Sequence, residues 1–356
     1  MIKAPFPIVS RRRVLVAAGA FSAVAAMART GRAEEEKNLN FYNWDTYTGE
    51  TTLQTFTQRT GIDVKLDLYA NNEELYAKLK EGNPGYDVIV PSNDMVETML
   101  AVKLLEPLDH AKIPNIKNID PAFANPKYDP GLAHTLPYMW GTLGIGYRKS
   151  KVKEPPTSWK VLFDSDEYSG RIALLADMRP VLGLALKYLG YSMNSTNPDE
   201  IAKARDLIIK QKSHIKAFAP DEGQNMLVAG DVDVVMEWNG DIVQVMSEDA
   251  DLDYVVPVEG TDVWIDNLAI PKDAPHPDNA HAFLNHINDP EVNAEIANTI
   301  RYATPNLAAH ALINQDDLHN ARIYPPAEVV AKSETLVDLG ENTRLYDEAW
   351  TAVQAG

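Results

Sequence analysis

Short apolar runs that each meet a loop carrying aromatic or acidic residues constrain this chain more than any other feature. Residues 39–43 lead into Trp44, Asp45, Thr46 and Tyr47, and residues 87–90 lead into Pro91, Ser92, Asn93 and Asp94. Residues 172–175 lead into Ala176 and Asp177, and residues 234–236 into Glu237, Trp238, Asn239, Gly240 and Asp241. Trp264, Ile265 and Asp266 precede a further run over 267–270. Runs of this length and composition read as strands. Helical patterns lie between them. Asn197-Pro198 offers an N-cap and a first-turn proline ahead of a stripe of Ile201, Ala204, Leu207 and Ile208. A helix is expected over 72–80, stopped by Gly82, and another over 280–289, ended by Pro290. Alternating strands and helices predict an α/β fold. In open α/β sheets, ligands bind outside the carboxyl ends of the strands. One polar loop means little, because loops are polar anyway. Here, though, Trp stands beside or near Asp at Trp44, Trp238 and Trp264, half of the six Trp in the chain.

With 356 residues the chain is long enough for two domains. Its formal net charge of −18 argues against nucleic acid as a partner, since phosphates are met by Lys and Arg. The same charge suits a cationic ligand, although it also serves plain solubility. Cys is absent, which removes disulfides, thiolate nucleophiles, zinc–thiolate sites and lipid anchoring through an N-terminal Cys. Residues 1–33 read as an export signal. Arg11, Arg12 and Arg13 precede an apolar, Ala-rich stretch over 14–28, and Gly31, Arg32 and Ala33 offer a cleavage site before Glu34. Ser10-Arg11-Arg12-Arg13-Val14-Leu15 looks like a twin-arginine signal, with a general secretory signal as the alternative. Either route ends outside the cytoplasm.

Catalytic motifs are missing. No glycine-rich phosphate loop follows a strand, no HExxH or Gly-x-Ser-x-Gly occurs, and His281 and His286 are five apart, off the spacing that sets two metal ligands on one helix face. No enzyme, metal or cofactor is expected. Trp faces attract cations and Asp accepts charge-assisted hydrogen bonds. Together they suit a chain-like organic cation such as a polyamine, whose methylenes need flat apolar walls and whose ammonium groups need carboxylates.

Further stretches carry a resemblance. Phe41-Tyr42-Asn43-Trp44, Pro137-Tyr138-Met139-Trp140-Gly141, Leu189-Gly190-Tyr191-Ser192, Trp238-Asn239-Gly240, Asp266-Asn267-Leu268-Ala269-Ile270-Pro271 and Ala303-Thr304-Pro305-Asn306-Leu307 stand in the order and spacing seen in periplasmic spermidine/putrescine-binding proteins. The resemblance covers nearly the whole mature chain. It implies a two-lobed α/β periplasmic binding protein fold of type II, with a ligand cleft between lobes that close about a hinge. Lobe 1 is expected over 34–141 and 265–310, and lobe 2 over 142–264 and 311–356. The implied function is that of a monomeric periplasmic receptor delivering a polyamine to the membrane permease of an ABC importer.

Carried over residue by residue, Trp44 is similar to the first aromatic wall and Tyr47 to a tyrosine of the same pocket. Ser92 matches the serine of the second strand loop. Asp177 resembles an acid that holds an amine, Trp238 the central stacking Trp, and Asp241 an acid of putrescine-preferring members. Trp264 and Asp266 resemble the pair that grips an ammonium group, and Tyr302 closes the far side. Trp140, Trp159 and Trp350 read as structural. The competing readings are core packing for Trp238 and Trp264, a turn cap for Asp266 and a helix cap for Asp241. Four positions depart from the family pattern. Pro180 stands where a Glu is frequent, Asp94 where an aromatic is usual, Asp45 in place of Ser or Thr, and Leu336 in place of a ligand-contacting Gln. Of the assignments, Leu336 and Asp241 lean toward a diamine such as putrescine, whereas Pro180, Asp94 and Asp45 point to a changed ligand. They leave open another cation such as agmatine, or a sensory protein that uses the same closure.

Overall fold

The computed structural model describes residues 35–220 and 222–356. The export signal and its cleavage site fall on earlier residues and lie outside the described residues. Nine strands appear among the described residues: β1 (Asn38–Trp44), β2 (Asp63–Tyr69), β3 (Val88–Ile89), β4 (Thr135–Arg148), β5 (Ile172–Leu175), β6 (Ile215–Ala219), β7 (Val234–Trp238), β8 (Leu252–Val255) and β9 (Val263–Ala269). Their order is β2-β1-β3-β9-β4-β7-β5-β6, with β8 on β4.

β1 pairs in parallel with β2 and β3, and β5 in parallel with β6 and β7. Parallel sheets are covered on both faces where they are central, and β5, buried at all four positions, is accordingly a continuous apolar run, whereas β2 at the sheet edge is largely exposed. Alternation then divides each run between two layers. In β1, Phe41 enters one core and Tyr42 another; in β5, Ile172 and Leu174 face one core and Ala173 another.

The largest cores lie on either side of one strand. The first gathers Phe41, Phe56, Tyr138, Leu268 and Phe283, and the second Leu143, Trp159, Ile172, Leu182 and Tyr346. β4 belongs to both. Its residues 135–142 pair with β9, and residues 143–148 with β7 and β8. The two-lobed α/β architecture follows from this, because a fourteen-residue strand is shared end to end by two separately packed sheets.

Local signals account for some of the helix starts. Asn197 accepts from the Asp199 N–H (3.0 Å) ahead of helix Pro198–Gln211, and Asn71 from the Glu74 N–H (2.9 Å) ahead of helix Asn72–Leu79. The helix expected over 280–289 instead runs Pro277–Ile287, and Pro290 opens the next helix, Pro290–Ile300. Proline fits the first turn of a helix, so each proline here starts one. The run at 87–90 keeps only Val88–Ile89 as strand. Asp87 turns away to accept from the N–H groups of Asn40 (2.8 Å) and His276 (2.7 Å).

The larger correction concerns β9. Trp264 and Asp266 were expected in a loop before a strand over 267–270, yet both lie inside the strand. β4 extends far enough to pair Gly141 with Trp264, Trp140 with Ile265 and Met139 with Asp266. The partner ladder, not the local sequence, decides where β9 begins.

Candidate functional site

The ends of β1, β3, β5 and β7 converge with the middle of β9 on one cleft between the two principal cores. It encloses about 740 Å³, part of it open to solvent. Every site residue expected from the sequence lines it. Trp44, Asp45 and Tyr47 follow β1, Ser92 and Asp94 follow β3, and Trp264 and Asp266 project from β9. Tyr302 comes just after helix Pro290–Ile300. From the other side come Asp177 after β5, Trp238 at the end of β7, and Asp241 in the first turn of helix Asn239–Met246. Trp140, Trp159 and Trp350 stay outside the lining, and Trp159 is fully buried.

The aromatic rings form a connected wall. Trp238 meets Trp264 edge to face at 5.9 Å, Trp264 meets Tyr302 at 5.0 Å, and Tyr302 meets Tyr47 at 5.5 Å. Each ring thereby fixes the next. Trp44 is held separately, by its Nε1–H donating to the Val90 carbonyl (2.9 Å) and by the Tyr69 ring. Trp238 touches both cores, so it spans the cleft floor. Left-handed backbone places both tyrosines. Thr46 (φ +47°) precedes Tyr47, and Arg301 (φ +59°) precedes Tyr302. A β-branched residue in this region is strained, and Asp45 supports it by accepting from the Thr46 N–H (2.9 Å).

Asp266 sits within this wall. Ser92 donates its Oγ–H to Asp266 Oδ1 (2.6 Å), and Asn72 in turn accepts from the Ser92 N–H (3.2 Å). Burial, together with the Asp266 charge, pushes the Tyr47 and Tyr69 phenols well above their ordinary range. Asp241 is buried and takes the Gln244 side-chain amide (3.3 Å), and it is the third residue of its helix rather than the cap. The capping reading therefore does not describe it.

The other end of the cleft is crowded with acids that spacing alone did not single out. Glu73 and Asp262 line it beside Asp94 and Asp177, as does one cation, Arg179. Burial raises Asp94, and Asp177 is raised well above the carboxylate range by burial and then by the charges of Glu73 and Asp94. Asp262 is pushed up to about 8 by burial and by Asp94. Glu73, though open to solvent at the mouth, is also raised, by desolvation in the cleft and by Asp94. Arg179 spends its guanidinium elsewhere, on the Val337 carbonyl (3.2 Å), the Asn194 side chain (3.1 Å) and the Tyr346 ring (4.8 Å). Glu73 was hidden in a helix whose Leu75, Tyr76 and Leu79 read as a packing face. Asp262 did leave a signal. It stands two residues before Trp264 and four before Asp266, on the same face of an extended segment. Asn93, also missed, accepts from the Ile265 N–H (3.0 Å) and donates to the Leu336 carbonyl (2.6 Å), tying β9 to the segment that brings Leu336 into the lining.

Among the described residues, no group of three or more His, Asp or Glu is arranged to hold a metal ion. The arrangement is suited instead to an organic cation, with flat aromatic faces for its carbon chain and carboxylates at both ends for its charges.

Known proteins resemble this chain along most of its length. The family model for bacterial extracellular solute-binding proteins matches residues 51–324. The spermidine/putrescine-binding periplasmic protein of Escherichia coli is 36% identical over 97% of this chain and 98% of its own length. The putrescine-binding periplasmic protein SpuD of Pseudomonas aeruginosa is 36% identical over the same shares, 97% and 98%. Among solved structures, the substrate-binding protein PotD of the Streptococcus pneumoniae spermidine/putrescine ABC transporter superposes with a TM-score of 0.77 at 36% identity, covering 90% of this chain and 99% of that one. A family-model match over most of the chain, and relatives of this identity along nearly their full length, agree with the cleft built above: the chain belongs to the bacterial extracellular solute-binding proteins, in the family of the periplasmic spermidine/putrescine-binding proteins.

Proposed function

We propose that this protein is a periplasmic receptor that binds a polyamine in the cleft and delivers it to the permease of an ABC importer. The observation that carries the reading is Asp266, steadied by Ser92 and set among Trp264, Trp238, Tyr302 and Tyr47. An ammonium group there gains a charge-assisted hydrogen bond and aromatic faces, while the methylenes run between Trp44 and Trp238. Asp241 and Asp177, with Asp94 beside Asp177, extend the acidic lining toward the ligand's other end, and Asp45 adds charge at the rim. Lobe 1 comprises 34–141 and 265–310, lobe 2 142–264 and 311–356, and ligand shifts the molecule toward the closed form by binding it better. The chain acts as a monomer, with no part for nucleic acid. Leu336, in place of a ligand-contacting Gln, and Asp241 favour a diamine, with putrescine ahead of spermidine. A second reading is agmatine, because the acids clustered at Asp94, Asp177 and Asp262 suit a planar guanidinium that is met by two oxygens at once.

Titration calorimetry of ligand-free protein with putrescine, cadaverine, spermidine, spermine and agmatine tests this, with glutamate as control. Saturable one-to-one binding of a polyamine supports the reading. Binding of agmatine alone selects the second reading. A folded sample that binds none of them overturns both.

A further inference from the structure

The acidic end of the cleft holds a group that family resemblance does not account for. Asp262 is 2% exposed and lines the cleft, and its Oδ1 accepts no hydrogen bond among the described residues. A buried carboxylate oxygen left without a donor is costly, and it marks a place where a ligand donor would be taken up. Asp262 and Asp266 are four residues apart in extended chain, which spaces their Cα atoms by about 13 Å. They therefore mark two poles of the cleft. Asp266 is satisfied by Ser92, whereas Asp262 shares its pole with Asp94, Asp177 and Glu73. Arg179 is the one cation of the lining, and its hydrogen bonds go to Val337 and Asn194.

We propose that Asp262 is a ligand-binding residue of this second pole, and that the pole exchanges a proton for the ligand's second cationic group as it fills. The inference rests on the cationic-ligand reading above and deepens it.

Like charges crowded in a site of low dielectric cannot all ionise. Asp262 faces Asp94 and Asp266, with Arg179 and the Leu336 N–H opposing them only in part, and its pKa is pushed up to about 8. Asp177 faces Glu73, Asp94 and Asp262, and is raised as well. Asp347 acts in the same direction on Glu73, and Asp338 on Asp94. At neutral pH the ligand-free pole therefore keeps part of its carboxyls protonated, Asp262 and Asp177 among them. An arriving ammonium or guanidinium supplies the missing positive charge and the missing donor. The carboxyl O–H then gives its proton to the buffer, and the carboxylate accepts from the ligand N–H instead.

Calorimetry with putrescine and with spermidine at pH 7, in phosphate, HEPES and Tris, reads the exchange directly. These buffers differ in ionisation enthalpy, so the slope of the observed heat counts protons. The expected result is about one proton released per ligand, with affinity rising roughly tenfold per pH unit between pH 6 and 7.5. Asp262→Asn should cut the release to less than half and flatten the pH dependence. Asp94→Asn, which removes the largest charge acting on Asp262, should lower the release too, and it serves if the first variant does not fold. Tight binding with no proton released by the wild-type protein overturns this inference and leaves the proposed function standing, as does an Asp262→Asn variant that releases as many protons as the parent. Failure of every polyamine and of agmatine to bind overturns both.

Discussion

A single carboxylate is useful in a cleft only if the protein holds it without neutralising it. Asp266 is 6% exposed, lines the cleft and takes the Ser92 hydroxyl at 2.6 Å. Asp266→Asn keeps the shape and the Ser92 contact but removes the charge-assisted bond, which is worth about 1.5–3 kcal/mol. Polyamine affinity measured by calorimetry is expected to fall by roughly 10- to 150-fold, with the circular dichroism spectrum unchanged; unaltered affinity would remove Asp266 from the ligand's path. At this scale the sequence was readable for aromatic and acidic residues next to apolar runs, since Trp44, Trp238, Trp264 and Asp266 all reach the cleft. It was unreadable for Glu73 and Arg179. One lies on a helix that also presents a packing face, the other in a helix buried nearly throughout, and neither has a neighbour in sequence that marks it.

Among the elements, β4 organises the site. Its residues 135–142 set the register of β9, which aims Asp262, Trp264 and Asp266 at the cleft, and its later residues carry β7 and therefore Trp238. Close approach at Gly141 makes this possible. A Cβ there would collide with Asn239 Oδ1 and stand 2.6 Å from the Trp264 ring. Gly240 plays the same part for Tyr302, whose ring would lie 2.5 Å from an added Cβ. Gly141→Ala forces Trp264 or Asn239 to shift. Overpacking of this kind costs about 1–3 kcal/mol, or a few degrees of melting temperature in a chain of this size. Affinity should fall as well, because the displaced indole is a wall of the cleft. A variant with unchanged melting temperature and affinity would show that Trp264 does not depend on this contact.

For the molecule as a whole, the crowded acids tie stability to pH. Asp262, with an ordinary value of 3.8, is raised to about 8 in the fold. Between those values the folded chain keeps a proton that the unfolded chain has lost. Its stabilising contribution is complete below about pH 4, declines as pH rises, and is gone above about pH 8. Asp94 and Asp177 are shifted the same way. Ligand-free protein is thus expected to melt at a lower temperature at pH 8 than at pH 5.5, by an amount corresponding to about 1 kcal/mol per pH unit. Asp262→Asn should shrink that difference, and saturating ligand should shrink it too, by supplying the counter-charge. A melting temperature that rises from pH 5.5 to pH 8 would contradict this account of the acidic pole.

The sequence by itself determined the α/β class, the strand cores at 39–43, 172–175 and 234–236, the capped helix starts at 72 and 198, and the aromatic and acidic character of the cleft lining. Each of these is written in neighbouring residues: apolar runs, caps and prolines, Trp beside Asp. The tertiary structure alone decided the extent of β9, the tie from Asn93 to Leu336, and the meeting of Glu73, Asp94, Asp177 and Asp262 at one pole. Those depend on a strand partner more than a hundred residues away and on elements from both halves of the chain packing around one cleft, and no local pattern encodes which distant side chains will share that space.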